Sequence, residues 1–429
     1  MSASAAGLPM PTPRVTPPPG VRRVAMLSVH TSPLDQPGTG DGGGLNVTVR
    51  EQAVRLARRG VEVDVFTRWS DPSLPATVAL ADGVRVQHVQ AGRIGPLDKD
   101  EMANQLCAFV LAVQRHPSAG GHDLLHAHYW LSGWVGRRLA ERWRIPLVQT
   151  FHTLGVLKNA TLAPGDRPEP ALRLVAEERV AREADRVLVL TCGEARLLHR
   201  TYGLSGSRLT VVPAGVDLDR FRAPDVPTFE HFEEAGARPP QLLFVGRLQP
   251  LKGPDVAIRT LAEVRRRFPT TRLRIVGGAS GSGQGRSGPH ELRALARELG
   301  VDAAVEIEPA VDQDTLASRY RAADVVLAPS RSETFGLVAL EAQACGVPVV
   351  AADVAGLEAV VGGGGTLVPG HDPADHARAV CAYLADPDLR AATATAGIQT
   401  ARSASWDQTV DRLLTVYGEV AGAREELAG

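Results

Sequence analysis

Lysine is scarce in this sequence: of 47 basic residues only Lys99, Lys158 and Lys252 are lysines, the rest being arginine. Where arginine stands almost everywhere, a surviving lysine marks a place that needs a compact ammonium. A charge of dominant sign is also missing. The 48 acidic residues leave a formal net charge of −1, which disfavours nucleic-acid binding as the main role. No apolar run reaches the ~18 residues needed to span a membrane. Residues 1–20 lack the apolar run of a signal peptide, so no secretory signal is expected there. The four cysteines, Cys107, Cys192, Cys345 and Cys381, are too widely spaced for a zinc or redox motif. They are expected to be reduced and buried, in a cytoplasmic protein.

What is present is an ordinary globular composition, 44% hydrophobic with a mean hydropathy of −0.06. At 429 residues, two or three domains of roughly 100–200 residues are expected. Residues 1–20 are rich in Pro, Ala and Ser without periodicity and read as a disordered tail. From Arg23 a strand, VAMLSV, runs into a glycine-rich loop and a helix with Val49, Ala53, Leu56 and Ala57 on one face. Strand candidates follow at VEVDVF, 84–90, 123–128, 146–150, 186–191 and 209–212. Pro213–Pro227 resembles a linker, after which the alternation restarts with strands at 241–247, 272–278, 304–308, 324–330 and 347–352. The pattern predicts an α/β protein of two Rossmann-like, doubly wound domains facing a deep cleft. Their expected bounds are 21–215 and 216–404, with a final helix, 405–429, packing back on the first domain.

Several segments carry chemistry. Gly42, Gly43 and Gly44 open a helix, so main-chain N–H groups can approach an anion. HAHYWLSG (126–133) and QTFHTLGVLKN (149–159) follow strands, where doubly wound sheets bind ligands. His126 and His128, two apart on an extended segment, are expected to face opposite ways, which argues against a shared metal. Arg173 on its own reads as a solvated helix charge. FVGRLQPLKGPD (244–255) brings Arg247 and Lys252 to a helix N-terminus, a diphosphate site. In RSETFGLVALEAQACGVP (331–348), Glu333 precedes the helix and Glu341 lies eight residues later, eight residues of helix advancing about 12 Å, and a carboxylate suits a pair of sugar hydroxyls. Four Asp-x-Asp triplets show how common that pattern is, and none reads as a metal site.

GRLQPLKGPD and SETFGLVALEAQACGVPVVA, together with VVPAGVDLDRF, resemble the retaining GT-B glycosyltransferases of family 4. VAMLSVHTSPLDQPGTGDGGGLNV, LHAHYWLSG and FHTLGVLKNA are similar, within that group, to the D-inositol-3-phosphate glycosyltransferase family of actinobacterial mycothiol biosynthesis, over residues 22–420. The resemblance implies transfer of N-acetylglucosamine from UDP-GlcNAc to 1D-myo-inositol 3-phosphate. It implies catalytic roles for Arg247, Lys252, Glu333 and His152. Gln36, Pro37, Gly44, Arg247, Lys252, Glu333 and Glu341 would bind the donor. His30, Asp41, Gly42, Gly43, Gly44, Leu45 and Asn46 would face the acceptor, whose phosphate would meet Lys99, Tyr129, Thr153 and Arg173.

No cofactor is required for the chemistry in that scheme. A non-catalytic Mg²⁺ near 320–324 and a homodimer are compatible with it. Leu45, Thr48, Phe151 and Ala355 depart from the family pattern, which leaves donor sugar and acceptor open. The alternatives are a transferase with another nucleotide sugar, another polyol phosphate or a lipid-linked acceptor, the last cued by RRLAERWR (137–144), and a silent nucleotide-sugar-binding protein.

Overall fold

The computed structural model describes residues 16–97, 99–162, 167–225, 231–234, 236–278 and 288–428. The expected tail falls almost entirely outside them. Strands in the first half are β1 (Arg23–Leu27), β2 (Glu62–Arg68), β3 (Thr77–Ala81), β4 (Val84–Val89), β5 (Leu124–His128), β6 (Leu147–Thr150), β7 (Arg186–Val189) and β8 (Leu209–Val211). They form one sheet in the order β3-β4-β2-β1-β5-β6-β7-β8, parallel except where β3 pairs antiparallel with β4. The second half contributes β9 (Gln241–Val245), β10 (Arg272–Val276), β11 (Val305–Glu308), β12 (Val325–Ala328), β13 (Val349–Ala352) and β14 (Gly365–Val368). Their order is β11-β10-β9-β12-β13-β14, all parallel, the doubly wound arrangement in which strand order reverses beside the first strand.

The reason is legible in the strands. Val24–Leu27, Val63–Arg68 and Val349–Ala352 are buried at every position, as parallel strands covered by helices on both faces require. The helix Gly44–Arg58 buries Val49, Ala53 and Leu56 against β1 and β2. In the second domain, Leu242, Phe244, Leu273 and Ile275 pack under Ala257, Ile258 and Leu261 of helix Pro254–Val264.

The final helix, Trp406–Ala428, leaves the second domain and lays Val410, Leu413, Tyr417 and Val420 on the first sheet, beside Val24, Val63 and Val148. The segment expected to be a linker is docked where it is described. Ala214, Val216 and Phe221 are buried, and Val216 exchanges main-chain hydrogen bonds with Ala404 and Trp406. A Cβ at Gly215 would stand 2.3 Å from the Trp406 nitrogen, so only glycine permits that approach. The cysteine expectation needs correction: Cys345 is buried, Cys381 is half-buried, and Cys107 and Cys192, on helices Leu106–Arg115 and Cys192–Tyr202, are exposed.

Candidate active site

Both switch points face each other. The loops after β1, β5 and β6 in the first domain and after β9 and β12 in the second converge on a cavity of about 320 Å³. From the first domain it is lined by His30, Pro37, Asp41, Gly43, Gly44, Leu45, Tyr129, His152, Thr153, Lys158 and Arg173. The second supplies Arg247, Lys252, Glu333 and Glu341. Tyr129 and His152, immediately beyond β5 and β6, are two of the three non-glycine residues described at positive φ, at 78° and 62°. Such backbone is costly and persists where surrounding structure enforces it. Tyr129 is pinned by its N–H donating to the Thr150 carbonyl at 2.8 Å.

On the second domain's side, the helix Pro254–Val264 begins directly after Lys252, and its proline costs no helical hydrogen bond there. Lys252 Nζ donates to Glu333 Oε2 at 2.5 Å. Burial lowers the pKa of Arg247, opposed by Asp41, Glu333 and Tyr129. That guanidinium therefore feels carboxylates from both domains. A Cβ at Gly43 would lie 3.7 Å from Arg247 Nε, and one at Gly44 3.3 Å from Leu337 Cδ1. The glycine loop thus lies against Arg247 and the start of the helix Leu337–Ala344. Glu341 sits on helix Leu337–Ala344, buried, and accepts a hydrogen bond from Tyr320 Oη at 2.9 Å. Burial pushes its carboxyl up to about 7. Only the residues from Leu337 onward are helical, so the 12 Å spacing expected from Glu333 to Glu341 does not apply. Gly336, at φ 98°, ends the loop.

On the first domain's side, Arg173 is buried on helix Ala171–Glu183 rather than solvated. Its Nε donates to Glu177 Oε1 at 2.6 Å, its Nη2 to Thr153 O and Oγ1 at 3.0 Å each, and its Nη1 pairs with Glu169 Oε2 at 2.9 Å. Burial opposes the charge, yet Tyr129, Glu177 and Glu169 hold the guanidinium above its usual range. The guanidinium also stacks 5.0 Å from the Tyr129 ring, which lies 4.3 Å from His30. Lys158 ion-pairs with the same Glu169. With most Arg173 donors engaged, a ligand anion here would compete with Glu169.

The histidines depart from expectation. Residues two apart on a strand share a face, and the rings of His126 and His128 are 4.0 Å apart. No group of three or more His, Cys, Asp or Glu able to hold a metal occurs among the described residues. In the segment 320–324, Asp324 spends both oxygens on Arg238, at 2.7 and 2.9 Å, so its carboxylate does not fit a Mg²⁺ ligand.

Three expected contacts do not line the cavity. Gln36 Nε2 instead donates to the Val311 carbonyl at 2.6 Å, bridging the domains. Asn46 Nδ2 reaches Thr31 Oγ1 and Ser32 O at 2.5 Å, and its Oδ1 accepts from Gly43 N at 2.8 Å. Its amide is spent on shaping the glycine loop. Gly42 makes the tight turn, since a Cβ there would stand 2.8 Å from the Gln36 carbonyl oxygen. The Lys99 side chain lies outside the described residues. Sequence reasoning missed Tyr320, Glu169 and Glu177. Only the i, i+4 spacings of Glu169, Arg173 and Glu177 hinted at the latter two.

Two facing Rossmann-like domains closing on a site at their switch points are the GT-B arrangement, and glycosyltransferase family models match both halves. Residues 43–215 match the glycosyl transferase 4-like domain and residues 227–400 match glycosyl transferases group 1. A D-inositol 3-phosphate glycosyltransferase of Thermomonospora curvata is 49% identical over 92% of this chain and 95% of its own. One from Acidothermus cellulolyticus is 50% identical over 95% and 92%. Among solved structures, sucrose-phosphate synthase from Thermosynechococcus elongatus superposes with a TM-score of 0.83 at 31% identity, covering 94% of this chain and all of that one. The chain belongs to the D-inositol 3-phosphate glycosyltransferase family.

Proposed function

We propose that this enzyme moves N-acetylglucosamine from UDP-GlcNAc to 1D-myo-inositol 3-phosphate with retention of the α configuration, the first step of mycothiol biosynthesis. The observation that carries this reading is the placement of cations on both walls of one cavity: Arg247 and Lys252 on one, Arg173 and Lys158 on the other. Two anionic esters, one diphosphate and one monophosphate, match that arrangement, and the names of the relatives supply the inositol phosphate.

As the glycosidic bond breaks, negative charge grows on the leaving UDP. Arg247 and Lys252 would stabilise it. Glu341 would take the ribose hydroxyls, and His152 and Glu333 the donor sugar. The inositol hydroxyl attacks from the face the UDP leaves, passing its proton to a phosphate oxygen. No side-chain nucleophile is needed in this scheme. The helix that suggested a lipid surface, 137–144, has Arg137 paired with Glu183 and stacked 4.8 Å over Trp134, which favours the soluble acceptor.

The test is mass spectrometry of products from UDP-GlcNAc offered with a panel of phosphorylated and free polyols, with the anomeric coupling read by NMR. An α-linked N-acetylglucosaminyl inositol phosphate, formed from the 3-phosphate and not from free inositol, is expected. Equal transfer to free inositol, or a β product, overturns the reading.

A further inference from the structure

Behind His152 a line of buried polar side chains crosses the first sheet. Tyr417 Oη, from the final helix, meets His126 Nδ1 at 2.8 Å, and His126 Nε2 meets Thr150 Oγ1 at 2.8 Å. The His126 ring packs on His128, and His128 Nδ1 lies 2.9 Å from His152 Nε2. His128 and His126 are fully buried. His128 Nε2 is sealed from solvent with no partner among the described residues. His152 turns its ring to the cavity, which it lines.

One proton must sit between His128 and His152, and the two placements differ in what they strand. If His152 Nε2–H donates, His128 must carry its own proton on Nε2, leaving a buried N–H with nothing to receive it. If His128 Nδ1–H donates, the sealed Nε2 holds only a lone pair. Buried acceptors lacking a donor are tolerated more readily than buried orphan N–H groups. A doubly protonated His128 would also strand an Nε2–H, and burial strongly disfavours it.

We infer that His128 is a positioning residue that donates from Nδ1 and so fixes His152 as the Nδ1–H tautomer, a hydrogen-bond donor aimed into the cavity. Hydroxyls on His126's two sides can donate or accept and impose no choice on it. His128 alone therefore sets the polarity of the group that faces the ligand. That the ligand oxygen belongs to the donor sugar rests on the function proposed above. The tautomer itself does not.

Long-range ¹H–¹⁵N correlation spectra of the full-length, ¹⁵N-histidine-labelled protein read the tautomer directly. A His152→Asn sample identifies the His152 signals. The expected result is protonation on Nδ1 in the parent and in His128→Asn, whose amide can replace the donor. In His128→Leu the Nδ1–H form should lose its dominance, with kcat/KM for UDP-GlcNAc falling about tenfold and the acceptor KM unchanged. A parent His152 protonated on Nε2, or an Nδ1–H form that persists in His128→Leu, overturns the inference. Should His128→Leu not fold, the parent and His128→Asn spectra still decide. A correct tautomer with no donor-side kinetic effect would instead count against the sugar contact assigned to His152.

Discussion

Glu341 is a carboxyl whose proton should be expelled when a nucleotide binds. It is buried in an apolar helix, with one hydrogen bond from Tyr320 Oη at 2.9 Å. Burial raises its pKa to about 7 against the pull of Tyr320 and Arg220. In the unliganded enzyme about nine-tenths of the molecules then carry the proton at pH 6, about half at pH 7 and about one-tenth at pH 8. A ribose diol brings two donors, and an ionised carboxylate accepts both, whereas a protonated one offers fewer acceptors and a competing O–H.

The sign follows from linkage. Binding favours the deprotonated form, so protons are released and affinity rises with pH. Release should be about 0.9 proton per UDP at pH 6 and about 0.1 at pH 8, with affinity about tenfold tighter at the higher pH, or about 1.4 kcal/mol. The UDP phosphate also titrates, near pH 6, so Glu341→Gln is the reference. Isothermal titration calorimetry in two buffers of different ionisation enthalpy counts the protons in each protein. The parent should exceed the variant by about half a proton at pH 7. Equal counts, or a parent affinity that falls from pH 6 to pH 8, would refute the reasoning.

Lys252→Met keeps the stem of the side chain and removes the charge that pairs with Glu333 and that is proposed to meet the leaving phosphate. Steady-state kinetics should show kcat down about 10²–10³-fold with the acceptor KM little changed. A kcat within about threefold of the parent would mean the ammonium does not meet developing charge. Gly356→Ala tests the loop that holds Glu333, because a Cβ there would stand 2.3 Å from the Glu333 carbonyl oxygen and 2.7 Å from the Thr334 carbonyl carbon. Backbone on that side must move, at a cost of about 1–3 kcal/mol. Calorimetry should show a lower Tm, together with weakened donor turnover. An unchanged Tm would show that the loop yields freely.

The parts of this molecule that the sequence made legible are those where one local feature decides the outcome. Fully apolar strands such as 349–352 and a glycine-rich helix start at Gly43–Gly44 leave few other structures open, and both sheets fall where their periodicity places them. β3 and β14 escaped because Thr77–Ala81 is an exposed edge strand and Gly365–Val368 is short and only half buried. Neither carries the apolar run that marks a central strand.

The site divides in the same way. Arg247 and Lys252 were readable because a proline fixes the helix start beside them. Arg173 was not, since its burial depends on Tyr129 and Thr153 arriving from the loops beyond β5 and β6. Nor could spacing alone show that Asn46 turns inward while its neighbour Leu45 faces the cavity, because that choice is made by Thr31 and Ser32 offering acceptors to its amide.

Lys158 shows what such convergence does to function. Its motif gave it no partner, yet it shares Glu169 with Arg173, which also holds Glu177, so two cations face two carboxylates on the wall proposed for the acceptor. On the proposed reading an arriving phosphate would exchange one anion for another instead of entering an open cationic trap, and a weakly charged acceptor would gain little by displacing Glu169. Discrimination for a phosphate ester would on this view come as much from the carboxylate that must let go as from the cations that take hold.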